Sequence, residues 1–377
     1  MSGQITVLCS GFGLGFYIPG LLIERKLARM GLSVDVEVFE NVMLEAKQQQ
    51  VDDSRKAYGA NFKVALASQK MPSDIRQSLD PQAVNTLIEK WLRENRTRFI
   101  CLSGHWVHVL DSYLERRGDN EVNADLLHVD SKPSPSWKQL GKLKSDYASA
   151  YRETGLYDSK DNRVLCRIEV DENEPLPFWQ REESIVLHGG GWGIGTFRDK
   201  VAELSLAGFR LDIVAYDPAE VAEPEPEANR RYCMNDPEWR AWSRDSFGQH
   251  GFPSFAVIHL PGEDTVFKPQ FSHHGLFDEI RRAKAVVSKP GAGALIDSLA
   301  SATPLILLEP FGEHERKNAE IWEHLGYGIS YEAWRATGFA HVELEKLHRN
   351  LVVGRAKLPD YASEYAEASA KFAGRRG

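Results

Sequence analysis

Residues 283–318, AKAVVSKPGAGALIDSLASATPLILLEPFGEHERKN, restrict the possible folds more than any other stretch of this chain. The apolar run Ala285 to Val287 ends in Ser288-Lys289-Pro290-Gly291, as a buried strand ends in a turn. Leu295, Ile296, Leu299 and Ala300 then recur at the spacing of a helix packed on a sheet, and Leu305 to Leu308 is a second apolar run. Strand, glycine turn, helix and strand of this length make a parallel βαβ unit with a right-handed crossover.

The turn leaves the backbone N–H groups of residues 291–295 uncovered and aligned with the helix dipole, so an anion can dock there. A purely structural turn is the alternative, since neither a GxxxxGK[ST] nor a GxGxxG pattern is present in this stretch. Asp297 falls one turn into the helix, where a carboxylate can accept hydrogen bonds from a ribose. The polar run Glu309 to Glu315 follows the second strand as a loop at the same carboxyl edge, where open α/β sheets bind ligands.

This order of elements resembles the nucleotide-sugar half of GT-B glycosyltransferases, a group that includes the lipid-II-forming N-acetylglucosaminyltransferases, the diacylglycerol glucosyltransferases and the UDP-glycosyltransferases. The resemblance implies that Gly291, Ala292, Gly293 and Ala294 hold a donor diphosphate and Asp297 the ribose. Glu313, Glu315 and Asn318 would then hold the sugar. The group usually carries glutamate at the ribose position, and Asp297 is one carbon shorter.

Two other glycine loops follow strands. Ile5 to Cys9 runs into Ser10-Gly11-Phe12-Gly13-Leu14-Gly15, and Ser184 to Leu187 runs into His188-Gly189-Gly190-Gly191-Trp192-Gly193. The first partly imitates GxGxxG, but Phe16 stands where the third glycine belongs. By resemblance Gly11, Gly13 and Phe16 mark the loop that lies against acceptor and donor phosphates, while Gly190, Gly191 and Gly193 lie over the diphosphate. A histidine common at the end of the first loop is replaced here by Phe16 and Tyr17. Phe271, before the helix Leu276 to Ala283, is placed by the same resemblance beside the donor base.

A base must then come from elsewhere. Ser103-Gly104-His105 follows the strand Phe99 to Leu102, and Ser103 can cap a helix that carries His105, His108 and Asp111 at i, i+3 and i+6. Solvated histidines, a metal site and an acceptor-side base at His105 are the three readings of that trio. His105 as base is the expectation carried forward, with no metal.

With 377 residues, two domains of comparable size are expected. The expected fold class is α/β, GT-B, with two Rossmann-like parallel-sheet domains facing a central cleft. Residues 1–170 form the acceptor domain, 171–350 the nucleotide-sugar domain, and 351–377 a helix crossing back to the first. Lys63 to Ala67 reads as a strand, residues 42–60 as a loop or exposed helix, and 219–252 as a surface excursion or acceptor lid. Phe255 to Leu260 resumes the second sheet.

A net charge of −8 without an aromatic-interleaved basic cluster argues against a nucleic-acid partner. No apolar run reaches membrane-span length and no signal-peptide pattern opens the chain, so a cytoplasmic protein without an integral membrane segment is expected. The four scattered cysteines form no CxxC pair and read as buried thiols.

The resemblance thus implies an inverting, metal-independent glycosyltransferase that needs no cofactor. It would move a sugar from a nucleotide diphospho-sugar, with a UDP-sugar expected, to a hydroxyl of a small-molecule or lipid-like acceptor. Two alternatives stay open: a UDP-sugar 2-epimerase on the same fold, and a nucleotide-binding regulatory protein without catalysis.

Overall fold

The computed structural model describes residues 3–68, 74–118, 121–221, 229–258 and 265–374. The first sheet contains β1 (Ile5–Cys9), β2 (Val34–Val38), β3 (Arg98–Cys101), β4 (Asn123–His128) and β5 (Arg152–Gly155). Its order is β2-β1-β3-β4-β5, and every pairing is parallel. All five residues of β1 are buried, as a central parallel strand with both faces covered requires. Asp35 and Glu37 of β2 alternate with valines, yet Glu37 is also buried, because Lys90 and Arg244 reach its two oxygens at 2.8 Å each.

A short ribbon, β6 (Tyr157–Asp158) with β7 (Arg163–Val164), leads to the second sheet. That sheet contains β8 (Glu182–His188), β9 (Arg210–Ala215), β10 (Arg230–Asn235), β11 (Phe252–Ile258), β12 (Lys268–Gln270), β13 (Ala283–Ser288), β14 (Leu305–Leu307) and β15 (Gly328–Ser330). The order is β12-β11-β10-β9-β8-β13-β14-β15. Every pairing from β10 through β15 is parallel, while β11 runs opposite to both of its neighbours, β10 and β12. The reversal arises because residues 236–251, between β10 and β11, do not form a crossover helix. They run instead over the first sheet's glycine loop.

The strand order turns at β8/β13 in the second sheet and at β1/β3 in the first. In an open α/β sheet a ligand crevice opens at such a switch point. The two crevices face each other, since a Cβ built on Gly191, after β8, would lie 2.3 Å from the carbonyl oxygen of Gly13, after β1. One buried apolar cluster runs through both halves, from Ile5 and Leu21 to Leu295 and Trp322. The helix Tyr361–Gly374 packs on the helix Tyr17–Arg29 of the first half. Tyr361 Oη donates to Asp125 Oδ2 at 2.7 Å, and Asp360 accepts from the Glu169 backbone N–H at 3.0 Å.

Three local expectations are corrected. Residues 63–67 lie in a helix, Phe62–Ser68, because Asn61 Oδ1 accepts from the N–H groups of Lys63 and Val64 and caps it, and among the described residues no strand is beside it to pair with. The 219–252 segment contains the strand β10, held between β9 and β11. The polar run 309–315 is loop only to Gly312. Glu313 begins the helix Glu313–Leu325, whose first turn favours its two glutamates. Leu260, the expected end of the strand at β11, lies outside the described residues.

Candidate active site

The carboxyl ends of β8 and β13 carry the glycine loop 189–193 and the turn before the helix Ala292–Ser301. Gly190 and Gly193 have φ of +73° and +70°, which only glycine adopts without strain. A Cβ on Gly193 would also meet the Tyr216 ring at 2.7 Å. Tyr216 Oη in turn accepts from the Gly189 N–H at 3.1 Å and donates to the Gly190 carbonyl, so the loop is locked from beneath.

Into the space between loop and turn projects Lys289. Positions for a Cβ at Gly190 and at Gly291 would lie 3.5 and 3.0 Å from its Nζ. Its ammonium is paired with Glu315 Oε1, and Glu315 Oε2 accepts from the Phe311 N–H at 2.7 Å. Sequence reasoning passed over Lys289, although it directly precedes Pro290 and Gly291. The signal was there, a lone cation entering a glycine turn.

Asn318 is fully buried and joins the halves. Its Oδ1 accepts from Ser131 N–H at 2.9 Å and Oγ at 2.7 Å, and its Nδ2 donates to Asp130 Oδ1 and the Pro290 carbonyl at 2.9 Å each. Burial pushes the Asp130 carboxyl upward, against the opposing effects of His314 and the Asn318 amide. Asn318 is thus already engaged by protein groups.

Asp297, 6% exposed, has His274 Nε2 at 3.0 Å from its Oδ1. Glu313 points away to Lys138 of the first half, at 3.0 Å, and is largely exposed. Phe271 is also exposed, at 78%, and is not brought to the crevice by any ring contact among the described residues. The structure therefore gathers Gly190, Gly291 and Glu315 around Lys289, with Asn318 bonded to the Pro290 carbonyl of the same turn. It leaves Glu313 and Phe271 on the outside.

On the opposite side, Gly13 and Leu14 have φ of +71° and +60° and press against Gly191. Glu40, fully buried after β2, accepts from the Gly11 N–H at 2.9 Å and Ser10 Oγ at 3.1 Å. Burial raises its carboxyl to about 7 although these donors oppose the rise. Phe16 is not at the loop tip. It caps the helix Tyr17–Arg29 and packs on the apolar core.

His105 follows β3, where Ser103 Oγ accepts from its N–H at 3.4 Å as the expected cap. Its ring packs between Phe12 and Phe39, with centroids 5.7 and 5.2 Å away. Nδ1 is buried and has no partner among the described residues, and burial lowers the ring's pKa to about 4. Phe12 also touches Trp192 of the second loop at 6.2 Å, so one aromatic ring links His105 to the opposite half. Asp111 is taken by Lys144 and Tyr151, each at 2.8 Å, and among the described residues no group of three or more His, Cys, Asp or Glu is placed to hold a metal ion.

Residues 236–251 close the remaining side. Arg240 Nε meets Asp52 at 2.6 Å, Arg244 meets Glu37, Tyr17 Oη donates to the Gly251 carbonyl at 2.8 Å, and Ala241 covers Gly11. A cavity of about 70 Å³ remains beneath this strap, with Trp192, Tyr216, Trp239, Trp242, Asp52 and Arg55 in its wall. All four cysteines are free and buried. Among the described residues no helix is long and apolar enough to cross a membrane.

Two Rossmann-like halves with facing carboxyl edges, a glycine loop on each and a C-terminal helix returned to the first half define the GT-B fold, the fold of many glycosyltransferases. MurG of Acinetobacter baumannii superposes with a TM-score of 0.53 at 10% identity, over 97% of this chain and 98% of that one. The glycosyltransferase VinC in complex with dTDP superposes with a TM-score of 0.54 at 12% identity, over 99% and 100%.

In sequence, the chain is 31% identical over 88 residues to the UDP-N-acetylglucosamine-N-acetylmuramyl-(pentapeptide) pyrophosphoryl-undecaprenol N-acetylglucosamine transferase of Trichormus variabilis. That match spans 20% of this chain and a quarter of the relative's length. No family model matches the chain.

Proposed function

We propose that this protein is an inverting glycosyltransferase that takes a sugar from a nucleoside diphospho-sugar, with UDP as the nucleotide, to a hydroxyl acceptor without a metal ion. The observation that carries the reading is the Lys289 ammonium held between two glycine turns and a helix amino end at the β8/β13 switch point. Leaving-group charge develops on the diphosphate in the transition state, and fixed N–H groups with one ammonium stabilise it without reorganising. The relatives in the comparisons support the same reading through the donors and reactions in their names.

In this reading the acceptor oxygen bonds to the anomeric carbon from the first-half side as the bond from that carbon to the diphosphate oxygen breaks. The hydroxyl proton passes to His105, whose ring is kept neutral at neutral pH by burial and whose Nδ1 has no partner among the described residues. Asp297 takes the ribose hydroxyls. The strap at 236–251 and the contact between the glycine loops keep water from the anomeric carbon.

Calorimetry against a nucleotide panel tests the donor half of this reading. UDP is expected to bind and to stabilise the protein, and Asp297→Ala to weaken it about tenfold, the worth of a charged hydrogen bond. No response to any nucleotide would refute the glycosyltransferase reading.

Turnover tests the acceptor half. His105→Ala is expected to lower it about 10²-fold. The base must be unprotonated to act, and its pKa is near 4, so wild-type turnover is expected to stay level as pH falls through 6.5 and to drop only near 4. A variant with the wild-type rate would remove His105 from the mechanism.

A further inference from the structure

Two buried polar atoms at the carboxyl ends of β8 and β13, His188 Nε2 and Ser288 Oγ, have no hydrogen-bond partner among the described residues. His188 ends β8 and Ser288 ends β13, and they are register partners. Both project on the sheet face of Val186 and Val286, the face that packs under the helix Ala292–Ser301. His188 is 4% exposed and Ser288 0%.

The Gly190 N–H donates to His188 Nδ1 at 3.0 Å. That bond assigns the lone pair to Nδ1 and the ring proton to Nε2, and burial holds the ring neutral, with a pKa of about 4. Among the described residues His188 Nε2 has no partner, and neither has Ser288 Oγ. A buried donor left unpaired is costly, so such a group at a switch point signals a bound acceptor atom. The charged and titratable neighbours of the ring are Asp297, Lys289 and His274. His274 Nε2 lies 3.0 Å from Asp297 Oδ1, and Lys289 is paired with Glu315.

We propose that His188 Nε2–H donates a hydrogen bond to a phosphate oxygen of a nucleoside diphosphate, with Ser288 Oγ–H beside it as a second donor; this rests on the nucleotide-site reading above. The chemistry selects phosphate because the two groups offer N–H and O–H beside a helix amino end and an ammonium, a donor-rich corner suited to an acceptor-only ligand. His188 is then a positioning residue for the donor. Its own orientation is set by the glycine loop that the same phosphate would touch.

The test is calorimetry of UDP and of uridine with wild type, His188→Ala, His188→Gln and Ser288→Ala, each checked for a cooperative melt. UDP affinity is expected to fall about 10- to 30-fold in His188→Ala and several-fold in Ser288→Ala, while uridine affinity stays the same. His188→Gln places an amide N–H near the site of Nε2 and is expected to recover most of the loss. Equal losses for UDP and uridine would overturn the phosphate assignment, and unchanged affinities would mean that a buried water satisfies the two groups and that the proposal is wrong. If His188→Ala does not fold, Ser288→Ala and His188→Gln decide by the same comparison. Wild-type protein that does not bind UDP would overturn this inference together with the donor reading, whereas wild-type binding with an unaffected His188→Ala would overturn this inference alone.

Discussion

Lys289→Ala is expected to weaken UDP binding about a hundredfold and to destabilise the fold by about 3 kcal/mol, the two largest losses from any single side chain of the candidate site. The ammonium does two things at once. It neutralises Glu315, whose side chain is 3% exposed and whose other oxygen is held by the Phe311 N–H. It also places the positive charge between Gly190 and Gly291. Alanine leaves a buried carboxylate without its counter-ion where a dianion is expected to bind, so repulsion adds to the lost attraction.

The two effects separate in the double variant Lys289→Met with Glu315→Gln. Stability is expected to return because no unpaired charge stays buried, and affinity is expected to stay low because no cation meets the phosphates. Urea melts and calorimetry on the three proteins give both readings. A single variant with wild-type UDP affinity would show that Lys289 serves Glu315 only.

Gly191→Ala is expected to lower turnover about a hundredfold while changing UDP affinity less than threefold. A Cβ there would lie 2.3 Å from the Gly13 carbonyl oxygen and 2.6 Å from Leu14 Cβ. Neither atom can swing away, since one is backbone and the other is fixed to a residue at φ +60°. The two halves must separate by about an ångström, and a displacement of that size between reacting groups costs about 10² in rate. The nucleotide groups on the second half move together, so binding is spared. Kinetics beside calorimetry measures the split, small-angle scattering reports the opening, and unaltered turnover would show that the loop contact has no part in closure.

Much of the second half was legible from local pattern. The strand, turn and helix of 285–301 follow from apolar spacing and from Pro290 and Gly291, and all three glycine loops lie at strand ends as read. Where reading by pattern failed, a hydrogen-bond or ion-pair partner decided. Lys63 to Ala67 has strand-like composition, but Asn61 caps it as a helix and among the described residues no strand pairs with it. Residues 236–251 have no period because their order comes from Asp52, Glu37 and Tyr17, more than 180 residues earlier in the chain.

The same division runs through the candidate site. Gly190, Gly193 and Gly291 to Ala294 announce themselves, because backbone that must turn sharply or stay uncovered admits few residue types. Lys289, His188 and Glu40 do not, because a lysine, a histidine or a glutamate is ordinary in sequence. Their character comes from burial and from partners such as Glu315, Gly190 and Gly11. Asn318 is marked by the resemblance as a sugar contact, but its bonds to Ser131, 187 positions away, came only with the fold. The sequence alone determined the class of fold and the sheet edge that carries the candidate site, since periodicity and glycine placement are local properties of the chain. Which side chains meet at that edge, and which stand unpaired there, was decided only by the tertiary structure, because burial and hydrogen-bond partnership depend on segments that the chain brings together from a distance.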